Sequence, residues 1–159
     1  ARMNTDVVWV HPSSTVMEGS LAYSLNKIGV KSMVVESGVA LMIDYDYADQ
    51  SVEGLFSLME YMGIWDGCAY NTHMPKIARD TDVSFVNAES SGIFIPKVKH
   101  SGVVEKGDVI GQIVNVLTGS VEETILSPRR GVVFSLRAYP VIEGGSLVAR
   151  IFGGVTNNA

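Results

Sequence analysis

Cysteine occurs once in 159 residues, at Cys68, so no internal disulfide can form. A lone thiol fits a reducing compartment, and the expected location is cytoplasmic. Basic residues are also scarce. Twelve Lys and Arg against seventeen Asp and Glu give a formal net charge of −5, with no basic block or stripe. That excludes nucleic acid or an anionic membrane as the main partner. No apolar run approaches the ~20 residues of a spanning helix. No signal peptide is visible, and a start at Ala1 leaves an upstream segment open. What is present is 47% hydrophobic and 18% charged residues, enough to build a globular core.

The first half reads as α/β. DVVWV (6–10) is a short continuous apolar run, the pattern of a strand buried on both faces. After the polar loop HPSSTVMEG, Leu21, Ala22, Leu25 and Ile28 recur at helical spacing, and Gly29 supplies a stop. Ser32–Glu36 predicts a second buried strand, which makes a right-handed parallel βαβ unit. That strand ends on a carboxylate, Glu36, with Gly38 just behind it. On position alone, Glu36 is either an ion-pair partner or a functional group. Val52, Leu55, Phe56, Met59 and Met62 mark one face of a second helix, expected to pack into the core. Asp49 is its expected N-cap and Gly63 its stop. Periodicity is lost over 66–82, which reads as a connector.

From Val83 the pattern becomes short alternating runs with glycine turns, an all-β signature. It also repeats. VVEKGDVIGQI (103–113) aligns with VIEGGSLVARI (141–151), and each copy is preceded by a glycine and a β run, at Gly92 and Gly131. Two such units predict a pseudo-twofold β-sandwich. VVEKGDVIGQI and SPRRGVV resemble the biotinyl/lipoyl barrel-sandwich pattern. A carrier of that type needs a lysine on its central hairpin, and no lysine follows Lys106; Glu122, Glu123 and Thr124 stand there instead. Swinging-arm chemistry is therefore excluded. The expected organisation is an α/β portion over 1–66, a connector over 67–82 and an all-β barrel-sandwich domain over 83–159.

A wider resemblance takes in both halves. Gly19-Ser-Leu, the stretch from Gly29 through Glu36-Ser-Gly, Val52-Glu-Gly-Leu and Met62-Gly-Ile-Trp-Asp-Gly form its first part. Gly92-Ile-Phe-Ile-Pro, Val104-Glu-Lys-Gly-Asp-Val-Ile-Gly and Ala138-Tyr-Pro-Val-Ile-Glu-Gly-Gly form its second. In order and spacing these resemble the C-terminal part of the succinylglutamate desuccinylase/aspartoacylase family. The resemblance implies a carboxypeptidase-like α/β fold and a zinc-dependent hydrolase that cleaves the amide of N-acyl amino acids. It implies that Glu36 is the general base for the zinc-bound water.

The chain departs from that family at the metal. The resemblance implies zinc ligands in a His-x-x-Glu pair and a later His, but the residues three after His11, His73 and His100 are Ser14, Lys76 and Val103, so no His-x-x-Glu exists. The expectation is a C-terminal portion that lacks the zinc ligands and binds no zinc alone, with the missing N-terminal portion as its partner. A homo-oligomer is left open. His11 follows a strand end and is a candidate substrate-binding residue on the same sheet edge as Glu36. Ser13, Ser14 and Thr15 read as loop or cap residues, since no nucleophile-elbow pattern surrounds them. His73, His100, Arg129 and Arg130 read as loop and turn residues. The alternative function is a non-enzymatic interaction or adaptor module.

Overall fold

A computed structural model describes residues 2–11, 17–40, 42–67, 70 and 72–153. It is a mixed α/β chain with open sheets. The chain divides into two compact units, residues 1–80 and 81–159.

The first unit holds β1 (Val7–Val10), α1 (Leu21–Lys27), α2 (Tyr45–Tyr61) and β2 (Lys76–Arg79). Strand β1 pairs in parallel with β2, from Val7↔Lys76 to Val10↔Arg79. The expected partner of β1, Ser32–Glu36, forms no strand, and residues 76–79, read as connector, take its place. β1 is consequently only half-buried, not enclosed on both faces.

Both helices end as their glycines predict. Gly29 and Gly63 adopt positive φ. Behind them Val30 N–H reaches Leu25 O and Ile64 N–H reaches Met59 O, the six-to-one bond of a Schellman cap. The start of α2 differs from expectation. Asp44 is the N-cap, its carboxylate accepting from Asp46 and Tyr47 N–H, and Asp49 lies inside the helix.

The face of α2 that turns inward also differs. Gly54 and Ser57 are buried, whereas Val52, Leu55 and Met62 are exposed. The cause is the N-terminal segment. A side chain at Gly54 would sit 2.1 Å from Met3 O, so only glycine admits this approach. Asn4, 7% exposed, donates to Glu53 at 3.1 Å and accepts from His73 N–H at 3.3 Å, while Gln50 donates to its carbonyl. The helix is thus held by polar contacts. Among the described residues of this unit, Ala78 is the one fully buried hydrophobic side chain.

The second unit is antiparallel. β3 (Val83–Asn87), β10 (Leu147–Phe152), β8 (Gly131–Leu136) and β5 (Val103–Val104) form one four-stranded sheet in that order. β7 (Val121–Leu126), β6 (Val109–Val114), β4 (Gly92–Pro96) and β9 (Val141–Ile142) form the other. The sequence repeat is visible here: β4, β5 and β6 correspond in order to β8, β9 and β10, and the two sheet orders superpose under that exchange. The turn glycines Gly107 and Gly145 share a positive φ. Phe94, Ile110, Ile113 and Ile142 from one sheet pack with Val104, Val133, Ala149 and Ile151 from the other.

The barrel-sandwich expectation is corrected at this point. Among the described residues each sheet is open, with its own two edge strands, and no ladder joins one sheet to the other. The glycine patterns that resembled the biotinyl/lipoyl type mark turns between the strands of these two open sheets. Two of the edges, β5 and β9, are only two residues long, which limits pairing with other chains.

Gly131 supplies a test of the packing. A methyl group there would lie 2.4 Å from the backbone oxygen of Phe152. Gly131→Ala is expected to lower the unfolding free energy by about 1–3 kcal/mol, the usual effect of overpacking. Denaturant titration of the chain measures it, and an unchanged midpoint would show that β8 and β10 separate freely.

Candidate functional site

Because β1 and β2 run parallel, their carboxyl ends lie side by side, the place where open α/β sheets bind ligands. His11 follows β1 and Asp80 follows β2. Their side chains meet: His11 Nδ1 is 3.1 Å from Asp80 Oδ1. The same oxygen accepts the Trp9 indole N–H at 2.8 Å, across 71 residues of sequence. The Trp9 and His11 rings pack with centroids 3.9 Å apart, tilted by 41°. Both members of the His11–Asp80 pair are about one-third exposed, at 33% and 31%.

A second pair sits at the amino end of the ladder. His73 Nε2 is 3.0 Å from Asp6 Oδ1, and both side chains are more exposed, at 48% and 62%. Next to it, Lys76 N–H bonds to Asp6 O and begins the ladder. His73 lies in the loop before β2, about half exposed, and contacts Asp6 from there.

Glu36 stands elsewhere. It is exposed, outside any helix or strand, and it makes no side-chain hydrogen bond or ion pair among the described residues. The three residues before it are bare as well: Met33 is 63% exposed and Val34 67%. The backbone of 33–36 makes no hydrogen bond among the described residues. The segment is nonetheless tied at both ends. The Asn26 side chain accepts from Ser32 N–H at 3.1 Å and donates to Ser32 O at 3.0 Å. Gly38, at positive φ, lies so close to α2 that a Cβ would meet the Tyr47 ring at 3.3 Å. No hydrogen bond or ion pair joins Glu36 to His11.

The remaining candidates fall outside this edge. Ser13, Ser14, Thr15 and Cys68 lie outside the described residues. His100 bonds to Phe134 O and to Ser101 Oγ, each at 3.0 Å, and Arg130 pairs with Glu105 at 3.2 Å, all within the second unit. Among the described residues, no three His, Cys, Asp or Glu side chains converge to hold a metal ion. The donor set for zinc implied by the resemblance is not supplied by these residues. No helix among them is long and apolar enough to cross a membrane. Sequence reasoning missed Asp80, Trp9 and Asn4. The signal for the first two was the apolar pair Ile77-Ala78 just before Asp80, a short strand matching VVWV.

No family model and no curated protein matches the sequence. Solved structures do. The product-bound ectoine utilization protein EutE (DoeB) from Ruegeria pomeroyi matches with TM-score 0.80 and 20% identity, over 94% of this chain and 46% of its own. A succinylglutamate desuccinylase/aspartoacylase from Rhodobacter sphaeroides matches with TM-score 0.80 and 17% identity, over 98% and 48%. An aspartoacylase family protein from Mesorhizobium loti matches with TM-score 0.75 and 19% identity, over 98% and 46%. The chain shares the fold of these succinylglutamate desuccinylase/aspartoacylase structures and spans slightly under half the length of each.

The bare segment makes a measurable claim. Amides of Met33–Glu36 are expected to exchange with solvent close to the unstructured rate, while those of the fully buried Val133 and Ile151 stay protected. Hydrogen-exchange mass spectrometry or NMR reads this directly, and protection at 33–36 in the isolated chain would contradict the structure.

Proposed function

We propose that this chain is one portion of a hydrolase that cleaves the amide of N-acyl amino acids, releasing a carboxylic acid and the free amino acid. The observation that carries the reading is the fold match over nearly the whole chain to structures of that family. A complementing polypeptide, the N-terminal portion in the family's order, is the proposed partner. The first unit presents what such a partner would cover. One edge of β1 is open, the Met33–Val35 strand sequence is bare, and the apolar stripe Val52, Leu55 and Met62 of α2 faces solvent. Exposed apolar residues of this kind are what a complementing portion would cover.

Within that reading Glu36 is the proton carrier. A carboxylate at the reacting bond takes a proton from the attacking water and passes it to the leaving amine, acting as base and then as acid. Its lack of an ion-pair partner leaves it available for that work. The zinc of the family would be held by residues of the complementing portion.

Two substitutions test the reading. In the assembled protein Glu36→Gln is expected to leave assembly intact and to lower turnover of N-acetyl amino acids at least about a hundredfold, the scale of general acid–base catalysis. An active Gln variant would remove Glu36 from the mechanism, and release of no amino acid by the parent would end the hydrolase reading. Val34→Asp is expected to change the stability of the isolated chain by no more than about 0.5 kcal/mol, as for other surface changes. The same variant is expected to abolish co-purification with the complementing portion.

A further inference from the structure

We infer that the outer face of the β7–β6–β4–β9 sheet is a contact surface for a second copy of this chain, joining two copies through their second units. The register defines that face. Phe94, Ile113 and Ile142 belong to the core, so their strand neighbours Ile93, Val114 and Val141 point outward. Ile93 lies opposite Val114 on one side and Val141 on the other, and Val114 lies opposite Val121. One aliphatic row therefore crosses all four strands, and its ends, Val121 and Val141, are 51% and 65% exposed. The next row is Ile95, Gln112 and Thr124, and Val109 pairs with Leu126 further along. None of these side chains is charged. A solvated face of an antiparallel sheet is ordinarily polar, so this one has the character of a face that is covered.

The repeat supplies an internal comparison. Gln112 in VVEKGDVIGQI aligns with Arg150 in VIEGGSLVARI, and Thr124 opposite Gln112 corresponds to Phe85 opposite Arg150. On that other sheet the Arg150 guanidinium lies 5.5 Å from the Phe85 ring centroid, so the chain brings its own charged cover. At the matching place in the second sheet Gln112 and Thr124 carry no charge. Charge and area identify the occupant. The formal charge of −5 belongs wholly to residues 1–80, where five Lys and Arg stand against ten Asp and Glu; residues 81–159 hold seven of each. Two copies can therefore meet through their neutral second units. In an isologous contact a patch meets itself, so any charge within it would face its like, and an uncharged aliphatic row avoids that. Glu122 stands beside Val121 on the edge strand and accepts from Ser120 Oγ at 3.2 Å, in keeping with a polar rim. The exposed aliphatic side chains of the face, with Val116 and Leu117 at the β6–β7 turn, offer roughly 700 Å², close to the ~800 Å² that each partner gives to a standard stable interface.

Sedimentation of the 1–159 chain tests this without any activity. The parent is expected to form a dimer with a Kd on the micromolar scale. Val121→Lys and Val141→Lys, made together, set like charges into the contact and should raise that Kd at least about a hundredfold. Both positions are exposed, so exchange protection at Val133 and Ile151 should be unchanged and report an intact sandwich. If that protection is lost, Val121→Thr with Val141→Thr takes its place and should raise the Kd about tenfold. Val34→Asp alters the bare segment of the first unit and should leave the dimer as it is. A parent that stays monomeric up to about 0.5 mM, far above such a Kd, would overturn the inference. So would a dimer indifferent to both pairs of substitutions, or one broken by Val34→Asp instead. A monomeric parent whose Lys pair abolishes capture of the complementing portion would give the face to that partner and likewise overturn the dimer.

Discussion

The first unit depends on one short parallel ladder. β1 and β2 contribute four residues each, and the rest of the unit lies between them in sequence or just beside them. Parallel strands cannot be joined by a tight turn, and this pair is closed by a connection that includes both helices. Closure entropy grows only slowly with loop length, so such a long connection is tolerable. What holds it is polar. Asp6 O accepts the first ladder N–H, Asp80 ties the two far ends through Trp9 and His11, and Asn4 binds the N-terminal segment to α2 and to the chain leading into β2. Losing the ladder would separate all three sets of contacts at once.

The second unit rests on a different constraint. Its core is drawn from two sheets of matching strand order, and the side chains of that core cluster are aliphatic or aromatic. Gly131 lets β8 approach the end of β10 closely. Glu123, on the edge strand β7, accepts from Glu89 and Ser90 N–H and satisfies the turn between β3 and β4. Glu123 therefore has structural work in this fold.

This contrast explains what was legible in the sequence. The strands of the second unit, its repeat and its turn glycines could be read because hydrophobic alternation and burial coincide there. In the first unit they do not. SMVVE has the composition of a buried strand, but no strand lies beside it, so its residues remain exposed. The apolar stripe of α2 was legible as a stripe, and the direction it faces was not, because Gly54 and Asn4 decide that through contacts distant in sequence. Strand β2 was hidden by its brevity: only Ile77 and Ala78 are apolar, and one register partner is needed to recognise them. His11 and Glu36 could be named from pattern and resemblance. Asp80 required the register.

Two histidine–carboxylate pairs bracket the ladder at nearly equal distances, and contact length alone does not separate them. Strand direction and surroundings do. Asp6–His73 lies at the amino end and is largely exposed, the setting in which ion pairs contribute little. His11–Asp80 lies where both strands end, shares its carboxylate with an indole and packs its ring on that indole. The segment leading to Glu36 has a related asymmetry. Ser32 is bracketed by Asn26 and Gly38 is pressed against Tyr47, while the apolar residues between them are unpaired. A segment anchored at both ends loses less conformational entropy on pairing than a free one. The chain thus fixes both ends of this strand sequence while its own backbone hydrogen bonds stay open, which is the condition under which a neighbouring strand would fix the Glu36 backbone with less ordering still to be done.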